Sequence, residues 1–264
     1  PFFLYLSHYA VHTILNGKPA LVDKYRGKHP PGKSTRDRCY LCQDAGLEGD
    51  ASNHWAQDHN PHLAAMLESI DDGVGMIMET LRRLKLDDNT IIIFTSDNGG
   101  ETNVTSNAPL RAGKSSLYEG GIRVPLVVRW PRVVPPGTVC HTPTSNVDSY
   151  PTLLACANVK SDSRQRLDGV SILPMLKDLQ AKLDRDTLYW HYPLQKPHFL
   201  GGRSSGAIRQ GDWKLIEFFD THTIELYHLA DDPGEQNNLA DKYPDKTADL
   251  TKRLADWRRD AVNE

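Results

Sequence analysis

Apolar positions recur along this chain with two different periods. From Leu63, the apolar residues Leu67, Ile70, Val74, Ile77, Leu81 and Leu84 follow at alternating steps of four and three. That spacing predicts one helical stripe, with Glu68, Asp72, Glu79, Arg82 and Arg83 on the opposite face. Asn60-Pro61 before it reads as an N-cap followed by proline at the first helical position. The run Ile91 to Phe94 is apolar on both faces and predicts a buried central strand of a parallel sheet. Phe2 to Leu6 predicts a short buried strand, and Val124 to Trp130 another core strand. Ser149 to Ala157 predicts a short helix, and Ser171 to Lys177 a further helical turn or two. Residues 15 to 59 are polar and rich in Gly, Pro and charge, and read as a long surface excursion.

The pattern changes near Lys182. Thr187 to Tyr192, Ala207 to Gln210, Trp213 to Phe219 and Ile224 to Leu229 read as strands, with Gly211-Asp212 as a hairpin turn. Tyr243 to Val262 then predicts an amphipathic helix through Leu250, Leu254 and Trp257. The expected architecture is α/β. It comprises an α/β core over 1–181, with an insertion at about 28–59, and a small antiparallel-sheet-plus-helix subdomain over 182–264.

Composition narrows the function classes. The chain has 264 residues, 39% hydrophobic and 25% charged, with a net charge of -3. That balance argues against general nucleic-acid binding. No apolar stretch approaches membrane-spanning length. Four cysteines over this length make no disulfide scaffold.

The chemistry-bearing stretch begins where the Ile91 strand ends. Ser96-Asp97-Asn98-Gly99-Gly100 places two adjacent hard oxygen donors, Asp97 and Asn98, at the carboxyl end of a strand, where open α/β sheets bind ligands. Such donors suit Ca²⁺ or Mg²⁺; a solvated turn is the alternative. Lys114 follows in a loop after Gly113 and can bring a positive charge to an anion. Arg111 and Arg123 either border such an anion or pair with acidic residues.

Several of these segments carry a family resemblance. Ser96-Asp97-Asn98-Gly99-Gly100, Pro109-Leu110-Arg111-Ala112-Gly113-Lys114 and Leu117-Tyr118-Glu119-Gly120-Gly121-Ile122-Arg123-Val124-Pro125 resemble the type I, formylglycine-dependent sulfatases. So do Pro1-Phe2-Phe3-Leu4-Tyr5-Leu6 with Val11-His12-Thr13, and Gly206 through Ile216. The resemblance implies an alkaline-phosphatase-like core and hydrolysis of sulfate esters, on sulfated sugars or aryl sulfates. It implies Asp97 and Asn98 as metal ligands, usually of Ca²⁺, and Lys114 and His12 as catalytic groups at the sulfate. Tyr189-Trp190-His191-Tyr192-Pro193 and Arg203 correspond to the mouth of the site. There His191 and Arg203 are candidate substrate contacts, while Trp190 and Tyr192 read equally as core residues. The family makes its formylglycine nucleophile from the cysteine of a Cys-x-Pro-x-Arg motif. None of Cys39, Cys42, Cys140 and Cys156 has that context, and no early Asp-Asp pair is present. The chain therefore reads as the carboxyl-terminal part of a sulfatase, inert alone, with nucleophile and remaining ligands in an amino-terminal half. The family implies a periplasmic, extracellular or lysosomal setting.

Two other readings stand beside this one. Cys39, Cys42, His54 and His59 have nearly zinc-finger spacing, although Asp44, Glu48 and Asp50 make the segment acidic. A phosphatase or phosphodiesterase of the same superfamily would use two zinc ions, where Asp97-Asn98 favours one hard cation.

Overall fold

The computed structural model describes residues 1–28, 60–162 and 164–262. The zinc-like quartet Cys39, Cys42, His54 and His59 lies outside the described residues. The chain forms two compact units, Pro1–Asp87 with Gly100–Ser106, and Asp88–Gly99 with Asn107–Glu264.

In the first unit, helix α1 (Pro19–Lys28) packs on helix α2 (Pro61–Arg83). The Asn60 side chain accepts a 3.1 Å bond from Leu63 N, so the predicted cap is formed. Leu15, Met66 and Val104 make the core of this unit. The predicted stripe is only partly covered. Leu81 is buried, but Leu67 and Leu84 are exposed, and Ala65 and Met66 take buried positions, Met66 beside Leu15 and Val104. Helix α1 itself arises inside the stretch read as a surface excursion. The opening segment corrects the expectation of a buried strand. Phe2 to Leu6 has no ladder partner among the described residues and is exposed throughout. A strand exists only where a neighbour takes its backbone donors and acceptors.

In the second unit, β1 (Ile92–Thr95) pairs antiparallel with β2 (Leu126–Arg129), Ile92 opposite Arg129 and Thr95 opposite Leu126. This corrects the reading of a central parallel strand: the described residues supply β1 with a single neighbour, and Phe94 is exposed. Between them lies a four-residue helix, α3 (Glu119–Ile122). Helices α4 (Ser149–Cys156) and α5 (Leu173–Lys177) follow.

The chain then builds a four-stranded antiparallel meander, β3 (Thr187–Tyr192), β4 (Ser205–Gln210), β5 (Trp213–Phe218) and β6 (Thr223–His228). Gly211 opens the β4–β5 turn at φ +58°, a conformation glycine adopts without strain. Strand alternation splits the apolar residues between two faces. Ile208, Leu215 and Leu226 face Leu250 and Leu254 of helix α6 (Pro244–Val262), and Tyr189 stacks on Trp257 at 4.9 Å. On the other face Ala207, Ile216, Phe218 and Tyr227 pack with Leu117, joined by Tyr118 and Ile122. The segment after Lys114 is thus anchored in the core of the meander.

Candidate functional site

The carboxyl end of β1 turns at Asp97-Asn98. Ser96 Oγ donates to Asn98 O at 3.0 Å, and Asn98 Nδ2 donates to Asp97 Oδ2. Asn146 Nδ2 donates to Ser96 O at 3.3 Å. Asp97 is exposed and Asn98 half-buried. The turn is held from behind by Gly99, whose N–H donates to Gly121 O at 2.9 Å. A Cβ at Gly99 would lie 1.8 Å from Gly120 O, so only glycine allows this approach.

Lys114 sits half-buried at the tip of a loop that closes on itself. At its neck Gly120 N donates to Arg111 O at 2.9 Å, and inside it Ser116 N and Oγ both donate to Gly113 O. Arg111 is paired rather than free for an anion. Its Nη1 donates to Tyr227 OH at 2.9 Å and to Glu235 O at 2.8 Å, and its guanidinium lies over the Tyr118 ring. The Tyr118 and Tyr227 hydroxyls both donate to Glu225 Oε2. Burial first, and Glu225 second, push both phenols well above the ordinary tyrosine value, so they stay protonated donors. Arg123 likewise pairs, 3.8 Å from Glu119.

Beneath the loop lies a buried charge cluster that strand periodicity did not announce. Lys214 Nζ, fully buried on β5, is 2.8 Å from Glu119 Oε1 and 2.8 Å from Glu235 Oε1. Glu119 N donates to Glu235 Oε2 at 2.6 Å, and Arg209 approaches Glu119 at 3.7 Å. Burial pushes the Glu235 carboxyl up, while Lys214 and the Glu119 N–H oppose that shift. A lysine is almost never fully buried unless paired. The one available signal was Lys214 itself, a charge next to the apolar run Leu215-Ile216 of its strand.

The remaining candidates are placed as follows. His12 belongs to the first unit, exposed, with Nδ1 2.9 Å from Thr13 O and its ring 5.7 Å from that of Tyr9. Arg203 is engaged: Nε and Nη2 grip Asp220 at 3.0 and 2.7 Å, Nη2 also donates to Thr221, and the guanidinium lies over Phe218. It lines a small cavity of about 50 Å³ with Ser116, Tyr118 and Gly201. A Cβ at Gly202 would lie 1.8 Å from Ser115 O, so the backbone before Arg203 abuts the residue after Lys114. His191 is exposed beside Phe219. Desolvation, then the Arg258 charge, hold its imidazole below the usual value, which leaves it neutral at pH 7. Trp190 and Tyr192 pack on the Leu117 cluster, which decides for their core reading.

Residues 1–159 match the Sulfatase family, and residues 112–260 match the family described as N-sulphoglucosamine sulphohydrolase, C-terminal. This chain belongs to the sulfatase family. A Sulfatase of Formosa agariphila is 33% identical over 96% of this chain and 45% of its own length. The N-acetylgalactosamine-6-sulfatase of Homo sapiens is 31% identical over 91% of this chain and 44% of its own. The crystal structure of Ps i-CgsB superposes with a TM-score of 0.77 at 29% identity, covering 97% of this chain and 50% of that one. A second structure of Ps i-CgsB, in complex with k-i-k-neocarrahexaose, gives 0.74. The chain thus spans about half the length of these relatives and matches their carboxyl-terminal part. These neighbours establish the alkaline-phosphatase-like α/β sulfatase fold.

Whether this sulfatase chain could hold the family's metal turns on the donor set. Asp97 Oδ1 and Asn98 Oδ1 accept no hydrogen bond from the described residues, and both lie on an accessible turn fixed by Gly99. Two open hard oxygens side by side fit Ca²⁺ or Mg²⁺. Among the described residues no group of three or more His, Cys, Asp or Glu is arranged around an ion. The pair would therefore supply only part of the roughly six to eight oxygens Ca²⁺ takes.

Proposed function

We propose that this chain contributes the Asp97-Asn98 turn and the Lys114 loop to a site that hydrolyses sulfate monoesters on sugars. The observation that carries the reading is the tie between the two: Gly99 behind the donor pair is bonded to Gly121, in the helix that closes the Lys114 loop. One rigid element thus presents two hard oxygens and a lysine charge. Asp97 and Asn98 would hold Ca²⁺, with Mg²⁺ the alternative. When bound, such a cation would supply positive charge to offset the negative charge of a sulfate ester. The nucleophile in this reading is a formylglycine carried by residues outside this chain, since no cysteine here has the required Cys-x-Pro-x-Arg context.

The chain's own residues have separable tasks. Lys114 offsets negative charge on the sulfate and on the departing oxygen. In this reading His12 is the group that protonates the leaving alcohol, a general-acid task that histidine chemistry serves. His191, neutral at pH 7, exchanges hydrogen bonds with sugar hydroxyls. Arg203, with two of its nitrogens fixed by Asp220, offers its remaining edge. A sugar as the leaving group is supported by the relatives, one of which is an N-acetylgalactosamine-6-sulfatase and another of which binds k-i-k-neocarrahexaose.

The test is turnover of an aryl sulfate and of sulfated galactan oligosaccharides by the formylglycine-matured protein that carries these residues. Lys114→Ala is expected to cut turnover about 10²-fold or more while bound metal stays unchanged. Asp97→Ala is expected to lose both metal and turnover. Hydrolysis of phosphate esters with no action on sulfate esters would overturn the proposal.

A further inference from the structure

We infer that Glu235 is the positioning residue of this site, acting through the neck of the Lys114 loop. The inference rests on reading Asp97-Asn98 and Lys114 as functional, and it adds a residue from a distant part of the sequence to that machinery. Glu235 lies just after β6, is fully buried, and ties both sides of the neck at once. Its main-chain oxygen accepts from Arg111 Nη1 at 2.8 Å, where the loop begins. Its carboxylate accepts from Glu119 N at 2.6 Å, where the loop ends. The neck itself is the Gly120 N to Arg111 O bond, so Glu235 braces Arg111 on one side and Glu119, the residue next to Gly120, on the other.

The brace continues to the donor pair. Glu119 begins α3, and Gly121 O of the same helix accepts from Gly99 N directly behind Asp97-Asn98. On its other side Glu235 is fixed by Lys214, which also holds Glu119. Lys214 stands on β5, the strand whose neighbours Leu215 and Ile216 are in the cores of the meander. A rigid sheet, one lysine and two carboxylates thereby fix a backbone helix of four residues, and that helix fixes both the loop and the turn. Fixed charges spaced by backbone bonds are what a site must preorganise. Two buried carboxylates around one buried lysine are a costly arrangement. Anchoring a polar loop on an apolar sheet gives them a purpose that core packing alone does not require.

Native-state amide exchange on this chain separates the proposal from a merely structural role, and it needs no sulfate ester turnover. In Glu235→Ala the Gly99 and Gly120 amides are expected to exchange about tenfold or more faster, beyond any rise at Leu215 and Leu226. Glu235→Gln keeps an acceptor for Glu119 N and is expected to restore Gly99 to within about threefold of the parent chain. Should Glu235→Ala fail to fold, Arg111→Met removes the other tie and is expected to speed Gly120 selectively. A uniform rise across Gly99, Gly120, Leu215 and Leu226, or no rise at Gly99 and Gly120, overturns the inference. Failure of the sulfatase assay alone leaves these exchange rates unaffected and tells against the functional reading instead.

Discussion

The β3–β6 meander and the β1–β2 ladder are built from similarly apolar strands, yet they stand in opposite environments. Ile208, Leu215 and Leu226 of the meander are wholly shielded, because α6 covers one face and the Leu117–Ile122 segment the other. In the ladder Phe94 is 41% exposed and Val127 58% exposed. An apolar strand states a need for cover; whether the need is met depends on elements elsewhere in the sequence. The meander brings its own cover within about 150 residues of chain, counted from Leu117 to Val262. Between the two regions lies the candidate site, resting on the covered sheet through Lys214 and touching the uncovered ladder through Gly99.

That contrast can be broken by paired truncations. Leu226→Ala removes a side chain with no exposure and is expected to cost about 2–5 kcal/mol. Val127→Ala, in the exposed ladder, is expected to stay within about 0.5 kcal/mol. Both are read by denaturant unfolding, and equal losses would abolish the distinction. A second pair sharpens the view of the junction. Gly99→Ala drives a methyl into Gly120 O and is expected to cost about 1–3 kcal/mol through a forced backbone shift, visible as a displaced Gly99 amide resonance. Gly211→Ala meets no neighbouring atom and suffers only its φ of +58°, so about 1 kcal/mol is expected.

The smallest effect belongs to the rim of the meander. The Arg203 guanidinium, by hydrogen bonding first and by its charge second, holds Asp220 below the ordinary aspartate value of 3.8. A folded value below the unfolded one means stability that is present above pH 3.8 and is lost as pH falls through the lower, folded value. Asp220→Asn should therefore be slightly less stable than the parent at pH 6, with the gap closing in strong acid. Because the pair is accessible to solvent, the gap should be a small fraction of the Leu226→Ala loss. A gap that persists unchanged in acid would remove the ion pair from the account.

Legibility followed the range of the interactions. The α2 cap at Asn60, the β4–β5 turn at Gly211 and the four meander strands were readable, because local periodicity and turn residues dictate them. Asp97, Asn98 and Lys114 stood out through motif residues at close sequence spacing. Helix α1 was hidden in a stretch whose Gly, Pro and charge content spoke for loop. The strand expected at Phe2–Leu6, and the parallel, buried setting expected for the strand that does form at Ile92–Thr95, failed at a different level. Their residues suit strands, but a strand's neighbours are not written in its own residues. The Glu119–Lys214–Glu235 pairing could not be read for a related reason, even with Lys214 standing out in its strand: Lys214 and Glu119 lie 95 positions apart, and charged residues ordinarily point to water.

The tied-off neck also decides where evolution can change the length of the chain. Residues inserted between Arg111 and Gly120 enlarge a loop whose ends are already joined, and each doubling of such a loop costs only about 0.6 kcal/mol. One residue inserted between Gly120 and Gly121 would instead carry the Gly121 carbonyl off Gly99 and unseat the donor pair. The lysine's reach is thus an adjustable dimension of this architecture, and the place of the oxygen donors a fixed one.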